Sequence, residues 1–462
     1  MMTGEDRIFR EYDIRGVFGK ELNEEIAYQI GKAFVSLAMK KLGKQPNIFS
    51  IGMDARISSP ILKEYLIKGI LDSGIDIVDL GVCPTPLQYF SLFKLPVDGG
   101  IMVTGSHNPP EFNGFKLSVG KETISGSDIR ELKEIINKKS FKISDKRGVL
   151  HRHDIVSDYI NFMVNKFSTF EGIKVVVDSG NGTAGLVAPK ILRSLGAEVV
   201  ELYSEPDGRF PNHHPDPVVL ENLKDLIKTV ISEKAHLGVG FDGDADRIGV
   251  VDEDGEIVWG DRLMIIFARD ILGKNKGAKI IGEVKCSKVM YEEIKRIGGI
   301  PIMWKTGHSL IKKKMKEEDA LLAGEMSGHI FFRDDYFGYD DAIYAALRLI
   351  DIVKKAGKPY SIKKLLEGVK NMISTPEIRV KCPDEMKFKV VEELKDFFRG
   401  YECDYTDGVR VNFKKGWALV RASNTEPSLV LRFEAETDED LEEIEYFIHR
   451  GLFEVFKILK IM

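Results

Sequence analysis

Short apolar runs alternate along this chain with stretches whose apolar residues recur at helical spacing. That alternation predicts layered α/β structure. Three units repeat one order of elements. The first opens with the strand Asn47–Gly52, then a helix near Pro60–Ser73, a strand Ile75–Leu80, and a third strand, Gly100–Val103, leading to Ser106. The second opens with Ile173–Asp178, then a helix near Val187–Leu195 and the strands Glu198–Tyr203 and His236–Phe241, ending at Asp242. The third opens with Ala278–Gly282, then a helix near Lys288–Ile297 and the strands Ile300–Trp304 and Ala320–Ala323, ending at Glu325. A period of this size predicts repeated α/β domains. The last part differs. Strands Val409–Phe413, Trp417–Arg421 and Ser428–Glu434 precede a helix carrying Leu441, Ile444, Ile448, Leu452 and Leu459 on one face, which predicts a small α+β domain. Charge and turn residues interrupt the pattern at Lys138–His153, Asp252–Glu256 and Gly368–Pro376, dividing the chain into 1–152, 153–254, 255–368 and 369–462. Asp254-Gly255 also reads as a tight hairpin turn.

Composition narrows the function classes. The 462 residues are 43% hydrophobic and 30% charged, as in an ordinary soluble globular protein of about three domains. Net charge is −5 and no segment clusters Lys/Arg with interleaved aromatics, which argues against nucleic-acid or membrane-surface partners. Cys83, Cys286, Cys382 and Cys403 are scattered without a C-x-x-C, which fits a reducing cytoplasm and argues against a structural zinc site. Met1–Tyr12 is charged and does not read as a signal peptide, and no apolar run is long enough to span a bilayer. Lys and Glu are abundant while Gln occurs only at positions 29, 45 and 88, a weak thermophile-like bias.

Each third strand runs into a polar motif, and parallel sheets gather ligands beyond the carboxyl ends of their strands. In Thr104–Pro110, the residues Gly105, Asn108 and Pro109-Pro110 force a turn that carries Ser106, with Lys116 ten residues on. There is no G-x-S-x-G elbow, and neighbouring side chains on extended backbone point apart. A hydrolytic Ser106–His107 pair is therefore not expected. Asp242, Asp244 and Asp246 offer hard oxygens suited to Mg²⁺ or Ca²⁺. An EF-hand fails here, because Arg247 stands where that loop needs Gly and Ile248–Val251 reads as a strand. Arg247 makes sense if an anionic ligand shares the site. A turn serine beside such a metal could carry a phosphoryl group. Arg421, Ser423, Asn424 and Thr425, with Arg432 on the next strand, supply the donors of a phosphate pocket. Glu325 and Ser327 face one way on extended backbone and suit sugar hydroxyls. His329 and His308 could contact phosphate or transfer protons. Gly180–Gly185 matches the dinucleotide fingerprint, with Glu201 after the next strand. Its unit, however, delivers the aspartate motif where a second nucleotide half would stand, and a tight strand-to-helix turn explains the same glycines.

Together these motifs resemble the α-D-phosphohexomutase superfamily over nearly the whole chain. Within it, Phe9–Gly16, Phe210–Asp216, Trp304–Ser309 and Arg421–Thr425 resemble the bifunctional phosphomannomutase/phosphoglucomutase group most. The resemblance implies three tandem α/β domains of similar topology and a C-terminal domain of the TATA-binding-protein-like type around one central cleft. The four would serve as phosphoserine, metal, sugar and phosphate domains. It implies reversible interconversion of hexose 1-phosphate and hexose 6-phosphate, for mannose and glucose, through a phosphorylated Ser106 and a hexose 1,6-bisphosphate that also acts as activator. Mg²⁺ would be held by Asp242, Asp244 and Asp246, with Ser106 as a further ligand. Arg247 and Lys116 would lie beside the transferred group, with Lys116, or else His308, moving protons. Arg10, Tyr12 and Arg15 would line the first-domain side, and Lys285, Gly307, Glu325, Ser327 and His329 the third-domain side. Glu325 and Ser327 would read O3 and O4, and Arg421 to Thr425 with Arg432 would hold the idle phosphate. Phosphoglucosamine mutases tend to carry Gln where this chain has Met326 and Ala in the serine loop where it has Gly105. Two positions depart from the pattern: Ala245 stands for a usual Gly, which matters little if its backbone is not left-handed, and Glu426 follows Thr425. The alternatives are phosphoglucosamine mutase and a Mg²⁺-dependent sugar phosphatase. Monomer and dimer both remain open.

Overall fold

The computed structural model describes residues 8–424 and 427–461. Three sheets share one plan. Three parallel strands, ordered second–first–third, are followed by an antiparallel return strand that makes a hairpin with the third. In the first sheet Asp76–Val82, Ile48–Met53 and Gly99–Val103 are parallel and Phe112–Val119 returns. In the second, Glu198–Leu202, Lys174–Asp178 and Leu237–Phe241 are followed by the return strand Ile248–Asp252. In the third, Ile300–Trp304, Lys279–Glu283 and Leu322–Gly324 are followed by Ile330–Phe332. The three polar motifs are therefore hairpin loops at equivalent corners of three sheets.

The outer strands show where each sheet ends. Leu150–Arg152 pairs with Asp76–Val82 and so belongs to the first sheet. Ile257–Val258 pairs with Ile248–Asp252 around the turn at Gly255, which has φ 88°, so the second sheet runs past residue 254 to Val258. The fourth sheet is antiparallel. Ser428–Ala435 and Gly416–Ala422 are its centre, and Ile373–Ser374 already pairs with Ser428–Ala435.

The longest element of the first unit that the alternation did not predict is the helix Glu24–Leu42. Asn23 caps it and Gly43 ends it in the left-handed region. Ile26, Ile30, Phe34, Leu37 and Ala38 are buried, and Glu25, Gln29, Lys32, Ser36 and Lys40 form its more exposed stripe. A Cβ on Gly31 would strike the carbonyl of Leu66 on the helix Ser59–Asp72, which is how closely the two pack.

One apolar core joins a face of the first unit to the second and third, from Leu87 and Phe90 through Tyr159 and Val177 to Phe267 and Leu347, and a second core around Phe34, Phe49 and Phe115 lies within the first unit. The fourth unit has its own core around Val390, Leu431 and Ile448. Among the described residues, no helix is long and apolar enough to cross a membrane.

Candidate active site

The serine loop spans the hairpin between Gly99–Val103 and Phe112–Val119. Met102 lies opposite Lys116, so the hairpin brings Lys116 back beside the strand that leads into the serine loop. Ser106 is 2% exposed and sits at φ 48°, an uncommon value for a residue with a side chain. Its Oγ donates to Asp242 Oδ2 at 2.8 Å and lies 3.2 Å from His107 Nδ1. That second contact corrects the expectation that the two side chains diverge. They diverge on extended backbone, but a left-handed Ser106 swings its side chain onto the half-buried imidazole. Burial, with Arg247 and Arg15 nearby, holds His107 well below the usual imidazole range and so neutral.

The aspartate loop closes on itself. Asp246 and Arg247 donate their backbone N–H to Asp242 Oδ1 at 3.0 and 3.1 Å. Ala245 is left-handed at φ 60°, so the condition under which it would matter little is not met. Its methyl is fully buried in the shared core, and that packing offsets part of the strain. The carboxylates of Asp242, Asp244 and Asp246 are fully buried. Thr85 Oγ1 donates to Asp244 Oδ2 at 2.5 Å. Lys116 Nζ reaches Asp244 Oδ2 at 2.8 Å and also Asp246 Oδ2. Burial depresses the Lys116 ammonium, but Asp244 and Asp246 override that and hold it well above the usual lysine range. The same pairing holds Asp244 low against its burial, whereas burial and its two acidic neighbours push Asp242 well up.

One ammonium does not balance three buried carboxylates. Asp244 Oδ1 and Asp246 Oδ1 are buried without a hydrogen-bond partner among the described residues. Ligand oxygens of the three residues lie within 4.8 Å of one another. Orphaned hard-oxygen donors in this number fit a divalent cation.

The loop 324–329 is tied to the aspartate hairpin: Ile248 N donates to Gly328 O at 3.1 Å. Arg247 Nε donates to His329 Nε2 at 3.0 Å, which puts the imidazole proton on Nδ1, 3.2 Å from Asp340 Oδ2. His308, at the start of the helix His308–Glu318, stacks on His329 with centroids 5.6 Å apart, and its Nδ1 is 3.5 Å from the same Asp340 oxygen. Burial and Lys312 hold His308 neutral. Glu325 accepts from Gly307 N at 2.6 Å and from Ser327 Oγ at 3.3 Å, so Glu325, Ser327 and Gly307 converge although the loop is a turn.

The outer residues come from three units. Arg15 pairs with Asp13 at 2.5 Å and donates to Asn108 Oδ1 over the serine loop. Arg10 precedes it, half-buried, in the turn before Ile14–Val17. Tyr12 donates to Thr306 O at 2.8 Å and accepts from Asn424 Nδ2, linking the first, third and fourth units. Lys285 lies 3.2 Å from Glu377 and 3.5 Å from Glu283. Arg421 donates to Asp407 at 3.0 Å, and Ser423 N donates to Ser428 O at 2.9 Å. Thr425 lies outside the described residues. Arg432 points elsewhere: it donates to Lys285 O at 2.5 Å, touches Met326 Sδ and is buried between the third and fourth units.

Residues without a motif also reach this cleft. Glu283 accepts from Thr306 Oγ1 at 2.5 Å and Met326 N at 3.1 Å, tying two loops. Asp407, Asp340, Asp54 and Arg56 act in the same way. For Glu283, Asp54, Arg56 and Asp407 the one sequence signal is a charged residue at or just beyond a strand end, a signal Asp340 lacks. The glycines of Gly180–Gly185 are filled by protein: a Cβ on Gly182 would lie 2.7 Å from Gly243 O, and Thr183 N donates to that oxygen at 3.0 Å. The fingerprint therefore supports the aspartate loop and presents no cradle for a pyrophosphate.

Comparison with known proteins agrees with this geometry. Models of phosphoglucomutase/phosphomannomutase alpha/beta/alpha domains I, II and III match residues 6–143, 157–255 and 259–371, and the model of that family's C-terminal domain matches 377–450. The chain belongs to the phosphoglucomutase/phosphomannomutase family. It is 48% identical over 449 residues to a phosphomannomutase/phosphoglucomutase of Pseudomonas syringae, covering 97% of this chain and 95% of that one. It is 44% identical to a phosphoglucomutase of Neisseria gonorrhoeae, with 95% of each covered. Among solved structures, a phosphoglucomutase/phosphomannomutase family protein of Burkholderia thailandensis superposes with a TM-score of 0.91 at 40% identity, covering 98% of each chain.

Proposed function

We propose that this chain is a phosphohexomutase that reversibly interconverts hexose 1-phosphates and 6-phosphates of mannose and glucose. The observation that carries the reading is Ser106 Oγ, 2.8 Å from one of three buried carboxylates with orphaned oxygens. Ser106 is the phosphoryl carrier. The sugar hydroxyl oxygen bonds to phosphorus, the P–Oγ bond breaks, and a hexose 1,6-bisphosphate forms. After the sugar turns over, Ser106 Oγ takes the other phosphoryl group by the reverse step.

Asp242, Asp244 and Asp246, with Ser106, hold Mg²⁺, which when bound neutralises charge on the transferring phosphoryl oxygens. Arg247 adds a fixed cation beside them. Lys116, held as an ammonium, supplies a proton to the departing Oγ and recovers it in the return step. His308, held neutral, is placed to accept the sugar hydroxyl proton, and His329 stands beside it on the substrate side. Glu325 and Ser327 read O3 and O4, with Gly307 beside them. Arg10, Tyr12, Arg15 and Lys285 line the cleft, and Arg421, Ser423, Asn424 and Thr425 hold the idle phosphate. Arg432 acts through Lys285 and Met326. Sugar phosphates are the partners, and the setting is cytoplasmic.

The test compares glucose, mannose and glucosamine 1-phosphates in a mutase assay with catalytic glucose 1,6-bisphosphate, on wild type and Ser106→Ala. Turnover of the first two sugars and its loss in a folded Ser106→Ala are expected. An active Ser106→Ala, or net release of phosphate, overturns the reading.

A further inference from the structure

We propose that Arg56 is the positioning residue that sets the geometry of Ser106, a role that rests on the phosphoserine reading above. Arg56 follows the strand Ile48–Met53, and its side chain is among the largest fully buried ones, at 1% exposure. A guanidinium has five N–H donors in a rigid fork, and all five are used. Nε donates to Asp54 Oδ2 at 3.1 Å. Nη1 donates to the carbonyls of Pro109 at 2.5 Å and Phe112 at 3.0 Å. Nη2 donates to those of Ser106 at 2.8 Å and Asn108 at 2.5 Å. The acceptors beyond Asp54 are all backbone carbonyls of the serine loop, so the fork fixes the path of the chain.

That path needs fixing. A left-handed residue with a side chain is strained and persists only where its surroundings over-determine it. Ser106 has φ 48°; its N–H donates to Thr104 Oγ1 at 2.8 Å and its carbonyl is held by Arg56. Both flanking peptide planes are thereby pinned, and with them the direction in which Oγ leaves the backbone.

Asp54 completes the clamp at the loop's entrance. Its Oδ2 accepts from Gly105 N at 3.0 Å and Thr104 Oγ1 at 2.9 Å, and its Oδ1 from Arg56 N at 3.0 Å and Ser59 Oγ at 2.5 Å. The second unit covers the clamp: the Phe210 ring centroid lies 5.1 Å from the guanidinium carbon. On the side of Gly105, a Cβ would come within 2.5 Å of Nε. Arg56 offers no free donor to a substrate, so its effect on the reaction passes through Ser106.

A merely stabilising Arg56 predicts a lower Tm with unchanged turnover per folded molecule. A positioning Arg56 predicts a loss in kcat at unchanged KM. The experiment uses full-length Arg56→Lys, which keeps the charge and loses the fork, and Arg56→Ala with and without added guanidinium ion. Steady-state kinetics on glucose 1-phosphate and thermal unfolding are the readouts. Displacing a reacting group by about 1 Å costs about a hundredfold, so kcat of folded Arg56→Lys is expected to fall about that far, with KM within about threefold. Guanidinium is expected to restore part of the kcat of Arg56→Ala and none of that of Arg56→Lys. A folded Arg56→Lys with kcat within about threefold of wild type, or with its loss in KM, overturns the proposal. If Arg56→Lys does not fold, Asp54→Asn, which weakens the clamp at one point, is expected to lose about tenfold in kcat, and wild-type kcat there overturns it as well. Ser106→Ala in the same assay separates the two readings. Activity there sinks the phosphoserine assignment, whereas an inactive Ser106→Ala beside a fully active Arg56→Lys sinks only the role of Arg56.

Discussion

Asp341 shows what a single buried carboxyl does to the pH dependence of this fold. It caps the helix Ala342–Ala356 and accepts from the hydroxyls of Tyr159 and Tyr336 at 2.8 and 2.7 Å. Burial nonetheless wins over those hydrogen bonds and raises its pKa from 3.8 to about 6. The folded state therefore binds this proton more tightly than the unfolded state. The stability it contributes is complete below about pH 4 and is lost as pH rises towards about 6. Asp341→Asn keeps a capping oxygen and removes the titration. Its stability relative to wild type is expected to increase from pH 4 to pH 6 in chemical denaturation, and a pH-independent difference refutes the assignment. The Asp340 and Asp341 pair was not legible in the sequence, because neither follows the end of an apolar strand. Ser106, Asp242 and Glu325 were legible because each ends an apolar strand. The His107 contact was not, since it depends on a backbone angle that no residue pattern encodes outside glycine.

At the scale of elements, strand ends and functional loops coincided because buried parallel strands are short, apolar and bounded by turn residues. The return strands Phe112–Val119 and Ile330–Phe332 and the helix Glu24–Leu42 escaped the alternation. The same hairpin plan makes the aspartate loop a sensor of metal. Its ends are fixed by the ladder Leu237–Phe241 with Ile248–Asp252, and its three carboxylates are buried against Lys116. A cation bound only by the folded loop stabilises the protein by mass action, about 2.7 kcal/mol at a hundredfold excess over Kd. Chelation is expected to abolish turnover and lower Tm, and Mg²⁺ to restore both. Asp244→Asn is expected to remove the Tm response to Mg²⁺, read by calorimetry, and an undiminished response there counts against this loop as the metal site.

At the scale of the molecule, the separate core of the fourth unit predicts that it can unfold apart from the rest. One apolar core joins the first three units, and the fourth meets them through a seam rich in polar contacts. There Arg410 stacks on the ring of Trp417 at 3.6 Å and donates to the carbonyls of Val284 and Cys286 at 2.5 and 2.9 Å. Trp417 Nε1 and Ser287 Oγ converge on Glu434 Oε2 at 2.5 and 2.9 Å. Val284, Trp417 and Leu419 are the apolar part of the contact. The seam borders the cleft, since Glu283 and Lys285 flank Val284 and Arg432 donates to Lys285 O. Removing the Arg410 side chain opens a cavity and strands two buried carbonyls, at a cost of about 3 kcal/mol or more. Because the fourth unit keeps its own core, that loss is expected to uncouple it without unfolding the rest. Calorimetry of Arg410→Ala is expected to show an early transition of the fourth unit ahead of the main one. KM for sugar phosphates is expected to rise more than kcat falls, because the loop proposed to hold the idle phosphate, Arg421–Asn424, rides on the loosened unit while Ser106 and the aspartates do not. A single transition at the wild-type temperature, or a loss confined to kcat, rules out the seam as the coupling between the phosphate loop and the rest of the cleft.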